Sequence, residues 1–396
     1  MDNKFRTVGM GAAFLMALSA VGPGFLTQTA VFTEKHLASF GFVILVVILI
    51  DIIGQLNIWR IMGVSGMRGQ DIANKVFPGA GYLTAFLIAL GGLAFNIGNV
   101  GGASLGLKVL FGFGDTFSII LAGLIGAALF LAKDMLKAMD AFVKVLGALI
   151  IVLMLYMAIR TSPPVGEVMI KSIFPDNINL LGLPILTLVG GTIGGYIVFS
   201  GGHRIIDAGI TGKENIQNID KSAVSGIILV TIIRVLLFLA ILGVVFHGAI
   251  LDPKDPASSA FKIGAGVVGY KFFGIVMWAA GATSIVGAAY TSVSFLKTLF
   301  VAVKKYEKGF IIGFILFSTL VMAFVGRPVK LLILAGSLNG LILPLSLLLI
   351  LLGAFKKSIV GDYRHPRILI ALGLIVVAAM GYMGLMSLSG LAALFR

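Results

Sequence analysis

Eleven apolar segments fill most of this chain, and no stretch between them is long enough to fold as a soluble domain. They run over residues 8–33, 40–62, 80–112, 115–132, 139–159, 179–202, 222–248, 267–297, 309–325, 329–354 and 367–393. A helix needs roughly 20 apolar residues to cross a hydrocarbon core about 30 Å thick. In lipid every backbone N–H and C=O must be satisfied within the protein, so a chain of such segments is an all-α polytopic membrane protein. Composition agrees. Of 396 residues, 59% are hydrophobic and 12% charged, where a soluble domain carries roughly 45–50% and about 25%. The expected organisation is one transmembrane domain over residues 1–393, in the cell membrane and multi-pass.

The chain contains no cysteine and four histidines, which excludes thiolate metal sites and thiol nucleophiles. The net charge of +14 falls between apolar segments rather than in aromatic-interleaved clusters. It therefore reads as topology, with the lipid bilayer as partner and no nucleic acid. Lys4, Arg6, Arg60, Arg68, Lys133, Lys137, Arg204, Lys304, Lys305, Lys356 and Lys357 lie on one side, and the other side is poorer. The N-terminus is then cytoplasmic, and the odd number of segments puts the C-terminus outside. Met1–Arg6 is short and basic, and the apolar run from Val8 is too long for a signal peptide core. No phosphate-binding loop is present to drive a pump, and neither paired acids nor a nucleophile–His pair marks an enzyme. No cofactor is expected.

Two segments are interrupted. The first contains Gly22-Pro23-Gly24, followed by Thr27, Gln28 and Thr29. Proline removes a donor and clashes with the preceding turn, and the glycines ease departure from helical geometry. The sixth contains Gly190-Gly191-Thr192-Ile193-Gly194-Gly195-Tyr196. A proline kink explains the first and a small-residue packing face explains the second. Unwinding at bilayer depth explains both, and such backbone is tolerated where it lines a cavity. These are the leading segments of two five-segment halves, about 8–159 and 179–354, with an additional helix at about 367–393. Inverted-repeat transporters place substrate where broken helices in corresponding positions meet. Asn96 and Asn99 share one face of the third segment. Thr283 and Ser284 lie in a small-polar run of the eighth, where they either line the cavity or bond their own backbone.

The broken first segment, the broken sixth and the small-polar eighth resemble the NRAMP (natural resistance-associated macrophage protein) transporters. So do Gly102–Gly112 in the third segment and Leu343-Pro344 in the tenth. That resemblance implies a LeuT-like fold with a 5+5 inverted repeat and broken helices 1 and 6. It also implies transport of divalent metals, usually with protons. The motifs that carry metal differ, however. The family's Asp-Pro-Gly-Asn falls on Leu26-Thr27-Gln28-Thr29, its Met-Pro-His on Gly194-Gly195-Tyr196, and its paired helix 3 acids on Asn96 and Asn99.

Neutral dipoles cannot replace the negative or soft donors that a dehydrated divalent ion needs. The expectation is an alternating-access secondary transporter for a small organic solute, amino-acid-like or carboxylate. Gly24, Thr27, Gln28, Thr29, Asn96, Asn99, Gly194, Gly195, Tyr196, Thr283 and Ser284 are its binding residues, with no metal ligand. A proton-coupled carrier of manganese, iron or magnesium is the alternative. Asp51 and Arg234 are intramembrane charges and so functional candidates. They form either a structural lock or gate, or a proton or sodium site at Asp51. His203 and Arg204 read as interfacial anchors, with Asp207 as a local ion partner, or as an inner gate. His247 and His365, near segment ends, are expected to be solvated.

Overall fold

A computed structural model describes residues 20–297 and 299–394, and all regular structure among them is helical. Helix α1 (Pro23–His36) begins with proline at its first position, where the missing N–H has no intrahelical partner to lose. It is followed by Leu37, at φ 48° and ψ −132°, and then by α2 (Phe40–Ser65). Residues 23–65 as one straight helix would be about 65 Å long, twice the hydrocarbon core. The turn at Leu37 divides them into two spans. Gly66, at φ 64°, closes α2 in the left-handed conformation that caps helices.

A short helix α3 (Gly69–Val76) leads into α4 (Ala80–Phe111) and α5 (Asp115–Leu131). Helix α6 (Lys133–Thr161) bends by 104° into α7 (Val165–Lys171) across Pro163 and Pro164. The sixth segment is split into α8 (Gly182–Thr192) and α9 (Tyr196–Asp207), followed by α10 (Ile216–Phe246). Helix α11 (Pro256–Lys297) is broken at Gly266, φ 68°, so its membrane part starts near residue 267. The remaining helices are α12 (Val301–Lys305), α13 (Glu307–Val325), α14 (Pro328–Gly353), α15 (Lys357–Val360) and α16 (Arg367–Leu394). With α1 and α2 counted apart and each broken or bent pair counted once, the eleven expected apolar segments appear in order. Residues 8–19 of the first lie outside the described residues.

Burial separates centre from rim. The most apolar stretch of α8–α9 is 89% buried, against 28% for α13 and 22% for α16. Glycine lets the inner helices approach closely. A Cβ on Gly102 of α4 would fall 2.0 Å from Pro23, and one on Gly106 would fall 2.4 Å from the Trp278 backbone of α11. Helix α4 is thus held against both the first break and α11.

Two expectations at the membrane edge are corrected. His365 is buried at 6% exposure, with Nε2 2.8 Å from Asn57 Oδ1 of α2 and Nδ1 3.2 Å from the Tyr363 hydroxyl. The connection before α16 folds back onto α2, where Asn57 also donates to the Leu369 carbonyl. Asp207 pairs with Arg68, 3.1 Å away at the start of α3, rather than with Arg204. His247 is exposed, as expected.

Candidate functional site

The chain leaves helical geometry twice at its centre. At the first break Ala20 is helical, Val21 and Gly22 are not, and α1 resumes at Pro23. At the second, the N–H groups of Ile193 and Gly194 both return to the Val189 carbonyl, at 2.9 and 3.0 Å. Gly195 then takes φ 52°, ψ −126° before α9 starts at Tyr196. The break spans residues 193–195; Gly190 and Gly191 stay inside α8. Their flat faces instead admit α14, because a Cβ on Gly190 would fall 1.8 Å from the Gly336 carbonyl oxygen. A helix ending here leaves its last carbonyls and the first N–H groups of α9 without intrahelical partners.

Helix α4 joins the two breaks. A Cβ on Gly22 would lie 3.1 Å from Ser284 Oγ and 3.8 Å from Asn99 Oδ1. The Phe95 ring meets the Tyr196 ring edge-on at 5.8 Å, and the Asn99 side chain lies beside Tyr196 with its Nδ2 unpartnered. Gly22, Asn99, Tyr196 and Ser284 therefore share one locus. Gln28, fully buried, donates from Nε2 to the Leu332 carbonyl at 2.8 Å. Its Oε1 has no partner and faces Gly191 at the end of α8. Gly24 lies beside it, with a Cβ position 3.4 Å from Phe95 and 3.6 Å from Gln28 Nε2.

The other expected residues point elsewhere. Thr27, Gln28 and Thr29 lie one turn into α1, beyond the break. The Thr29 hydroxyl donates to its own helix at Phe25 O, 2.8 Å away, while buried Thr27 Oγ1 has no partner. Thr283 bonds Ala279 and Ala280 carbonyls of its own helix and is half-buried. Asn96 donates to Ser318 Oγ of α13 at 3.1 Å, on the scaffold side. Gly194 packs against the Asn339 carbonyl.

Asn339 itself escaped the sequence reading. Its Nδ2 donates to Gly91 O at 3.0 Å and Ala335 O at 2.8 Å, and its unpartnered Oδ1 sits against Gly195. The polar run Ser337-Leu338-Asn339-Gly340 inside an apolar segment was the available signal. Ser337 also bonds Thr187 of α8 at 2.7 Å.

A second polar group lies behind the breaks. Asp51 and Arg234 are each 2% exposed. Asp51 lies near Thr192, the last residue of α8, whose hydroxyl donates to the Leu188 carbonyl of its own helix, and the Arg234 guanidinium lies 4.4 Å over the Phe25 ring of α1. No direct ion pair joins them among the described residues, and Asp51 Oδ1, Arg234 Nε and Arg234 Nη2 lack partners. His203 is buried with its ring 4.9 Å from that of Phe295, whereas Arg204 is exposed. Among the described residues no three His, Cys, Asp or Glu side chains come together to hold a metal ion.

Comparison with known proteins gives the architecture a context. A family model described as natural resistance-associated macrophage protein-like matches residues 13–389. The membrane protein YcsG of Bacillus subtilis (strain 168) is 54% identical over 397 residues, covering 98% of each chain. A solved manganese transporter from Eremococcus coleocola matches with a TM-score of 0.75 at 17% identity, covering 100% of this chain and 88% of that one. MhsT, solved in complex with L-phenylalanine, matches with a TM-score of 0.68 at 17% identity, covering 96% and 98%. At these identities the structural matches establish the fold, which is LeuT-like.

Proposed function

The chain belongs to the natural resistance-associated macrophage protein-like family, and from that premise we propose that it is a secondary transporter moving a small organic solute by alternating access. One observation carries the reading. The groups around the two breaks are amides, hydroxyls, an aromatic ring and free backbone, with no carboxylate or thioether among Asn99, Gln28, Tyr196, Ser284 and Asn339. Tight sites for divalent ions combine neutral oxygens with at least one charged oxygen or soft donor. The Ile197 N–H returns to the Gly194 carbonyl at 3.3 Å, and the positive end of the α9 dipole favours an anionic group such as a carboxylate. An amino acid bound to a protein of the same fold supports that size and chemistry.

The second reading, a proton-coupled carrier of manganese, iron or magnesium, draws on the manganese transporter of the same fold. In this chain its acid would be Asp51, buried near Thr192 at the end of α8. We assign Asp51 and Arg234 to coupling or gating, and His203 with Arg204 to the inner end of the path. The halves at about 8–159 and 179–354 act as the two repeats, with the N-terminus cytoplasmic and the C-terminus outside. Thr27, Thr29, Asn96, Gly194 and Thr283 support the site's walls. Catalysis and a cofactor have no place in this scheme.

The test is uptake by proteoliposomes holding the purified protein, offered amino acids and small carboxylates in one series and divalent metals in the other. Saturable uptake of an organic solute, with a KM raised in Gln28→Ala, supports the proposal. Saturable metal uptake alone refutes it.

A further inference from the structure

Away from the breaks, an open groove of about 490 Å³ runs between α13, the end of α11 and α4. Its floor is Gly309 and Gly313, four residues apart and so on one helix face. At neither would a Cβ meet any atom within 4 Å. Its walls are apolar, including Val293, Leu296, Phe310 and Phe314. Because α13 is mostly exposed within the protein and apolar enough to span a bilayer, this groove opens to lipid.

The mouth is basic. The Lys305 ammonium lies 5.2 Å from the ring of Tyr306, which lines the groove, and Lys304 and Lys308 are exposed on either side. The neighbouring acid, Glu307, is held by Lys297 at 2.8 Å. Among the described residues no acid pairs with Lys304, Lys305 or Lys308. We propose that the groove binds one anionic phospholipid, its acyl chain lying along Gly309 and Gly313 and its phosphate among the three lysines. A cationic mouth on an apolar trough matches the two halves of such a lipid, and basic clusters at span ends attract anionic headgroups. A zwitterionic lipid would satisfy the trough but bring its own headgroup cation to the three lysines, which cancels the net attraction.

The occupant would also brace the transport site. Leu93 and Val293 of the groove wall adjoin Gly92 and Ser292. A Cβ on Gly92 would fall 1.9 Å from Ser292 Oγ and 3.7 Å from the Tyr196 ring. Filling the groove therefore supports the α4–α11 contact directly behind Tyr196.

The test measures thermal unfolding of the purified full-length protein in neutral detergent, with added dioleoylphosphatidylglycerol, dioleoylphosphatidylcholine or glycerol 3-phosphate. The phosphatidylglycerol should raise Tm by about 4 °C or more, as expected for a ligand well above its Kd, and the other two should not. Gly313→Leu fills empty space, so it should keep the lipid-free Tm and lose the rise. Lys304→Gln/Lys305→Gln/Lys308→Gln should lose more than half of it. Equal shifts with phosphatidylcholine, or with glycerol 3-phosphate alone, overturn the proposal, as does a rise retained in both variants. A dimer that Gly313→Leu converts to monomer would assign the groove to a second copy of the chain and overturn it too.

Discussion

Gln28 spans the gap between two helices: its Nε2 donates to the Leu332 carbonyl at 2.8 Å while its Oε1 faces Gly191 with no partner. One end of the amide fixes the side chain to α14, and the other presents an acceptor where α8 stops. A buried acceptor without a partner is costly unless something fills the role, and a ligand donor is what the proposed site supplies.

Gln28→Ala should therefore reduce affinity for the transported solute by about threefold to tenfold, the value of one hydrogen bond at roughly 0.5–1.5 kcal/mol. Folded yield should stay near that of the parent protein. Solute titration of the purified variant measures this, and an unchanged Kd counts against Gln28 as a ligand.

Gly195→Ala faces two obstacles. Its φ of 52° disfavours any side chain, and its Cβ would fall 1.5 Å from Asn339 Oδ1. The cost should exceed about 2 kcal/mol. Adding Asn339→Ala removes the overlap and leaves the backbone strain, so the double variant should recover only part of the loss in thermal unfolding. Full recovery would mean that φ at Gly195 carries no strain.

Asp51 and Arg234 share a buried environment without touching. Arg234→Ala leaves Asp51 without its nearby counter-charge and should lower Tm. Asp51→Asn keeps the shape and removes the charge. If Asp51 carries the coupled proton, this variant should bind solute normally and lose pH-dependent accumulation in proteoliposomes. Accumulation with unchanged pH dependence makes Asp51 structural.

His365 gives a stability signature at the membrane edge. Burial, reinforced by Arg60, pulls its pKa from 6.5 down to about 4. The folded state thus prefers the neutral ring, and the stability this carries is complete above about pH 6.5 and lost as pH falls towards 4. Its size is on the order of 3 kcal/mol at one unit per 1.36 kcal/mol. Asp255, in the connection before α11, acts in the opposite sense, since burial raises its pKa from 3.8 to about 6 and its contribution fades as pH rises through that value. Comparing Tm from pH 4 to 7 in the parent, His365→Gln and Asp255→Asn separates them. His365→Gln should flatten the acid-side loss, and an unaltered acid limb would remove His365 from the account.

The helices were legible in the sequence because lipid permits little else, and both breaks were legible because Pro23 and Gly194-Gly195 are punctuation a helix cannot ignore. Side-chain direction was harder to read. Asn96 and Asn99 share a face by spacing, yet Asn96 turns to Ser318 and Asn99 to Tyr196, because α4 is wedged between α13 and the broken helix. Thr29 and Thr283 satisfy themselves on their own backbones, which composition cannot reveal. Asn339 and His365 were missed or misjudged for one reason: their partners, Gly91, Gly195 and Asn57, are brought to them only by tertiary packing across more than a hundred residues.

If the breaks form a neutral site for an organic solute, calorimetric titration of the purified protein with manganese should give no saturable heat at micromolar concentrations. A Kd near 1 μM, about −8 kcal/mol, would require charged or soft donors that the breaks do not offer, and would contradict that reading.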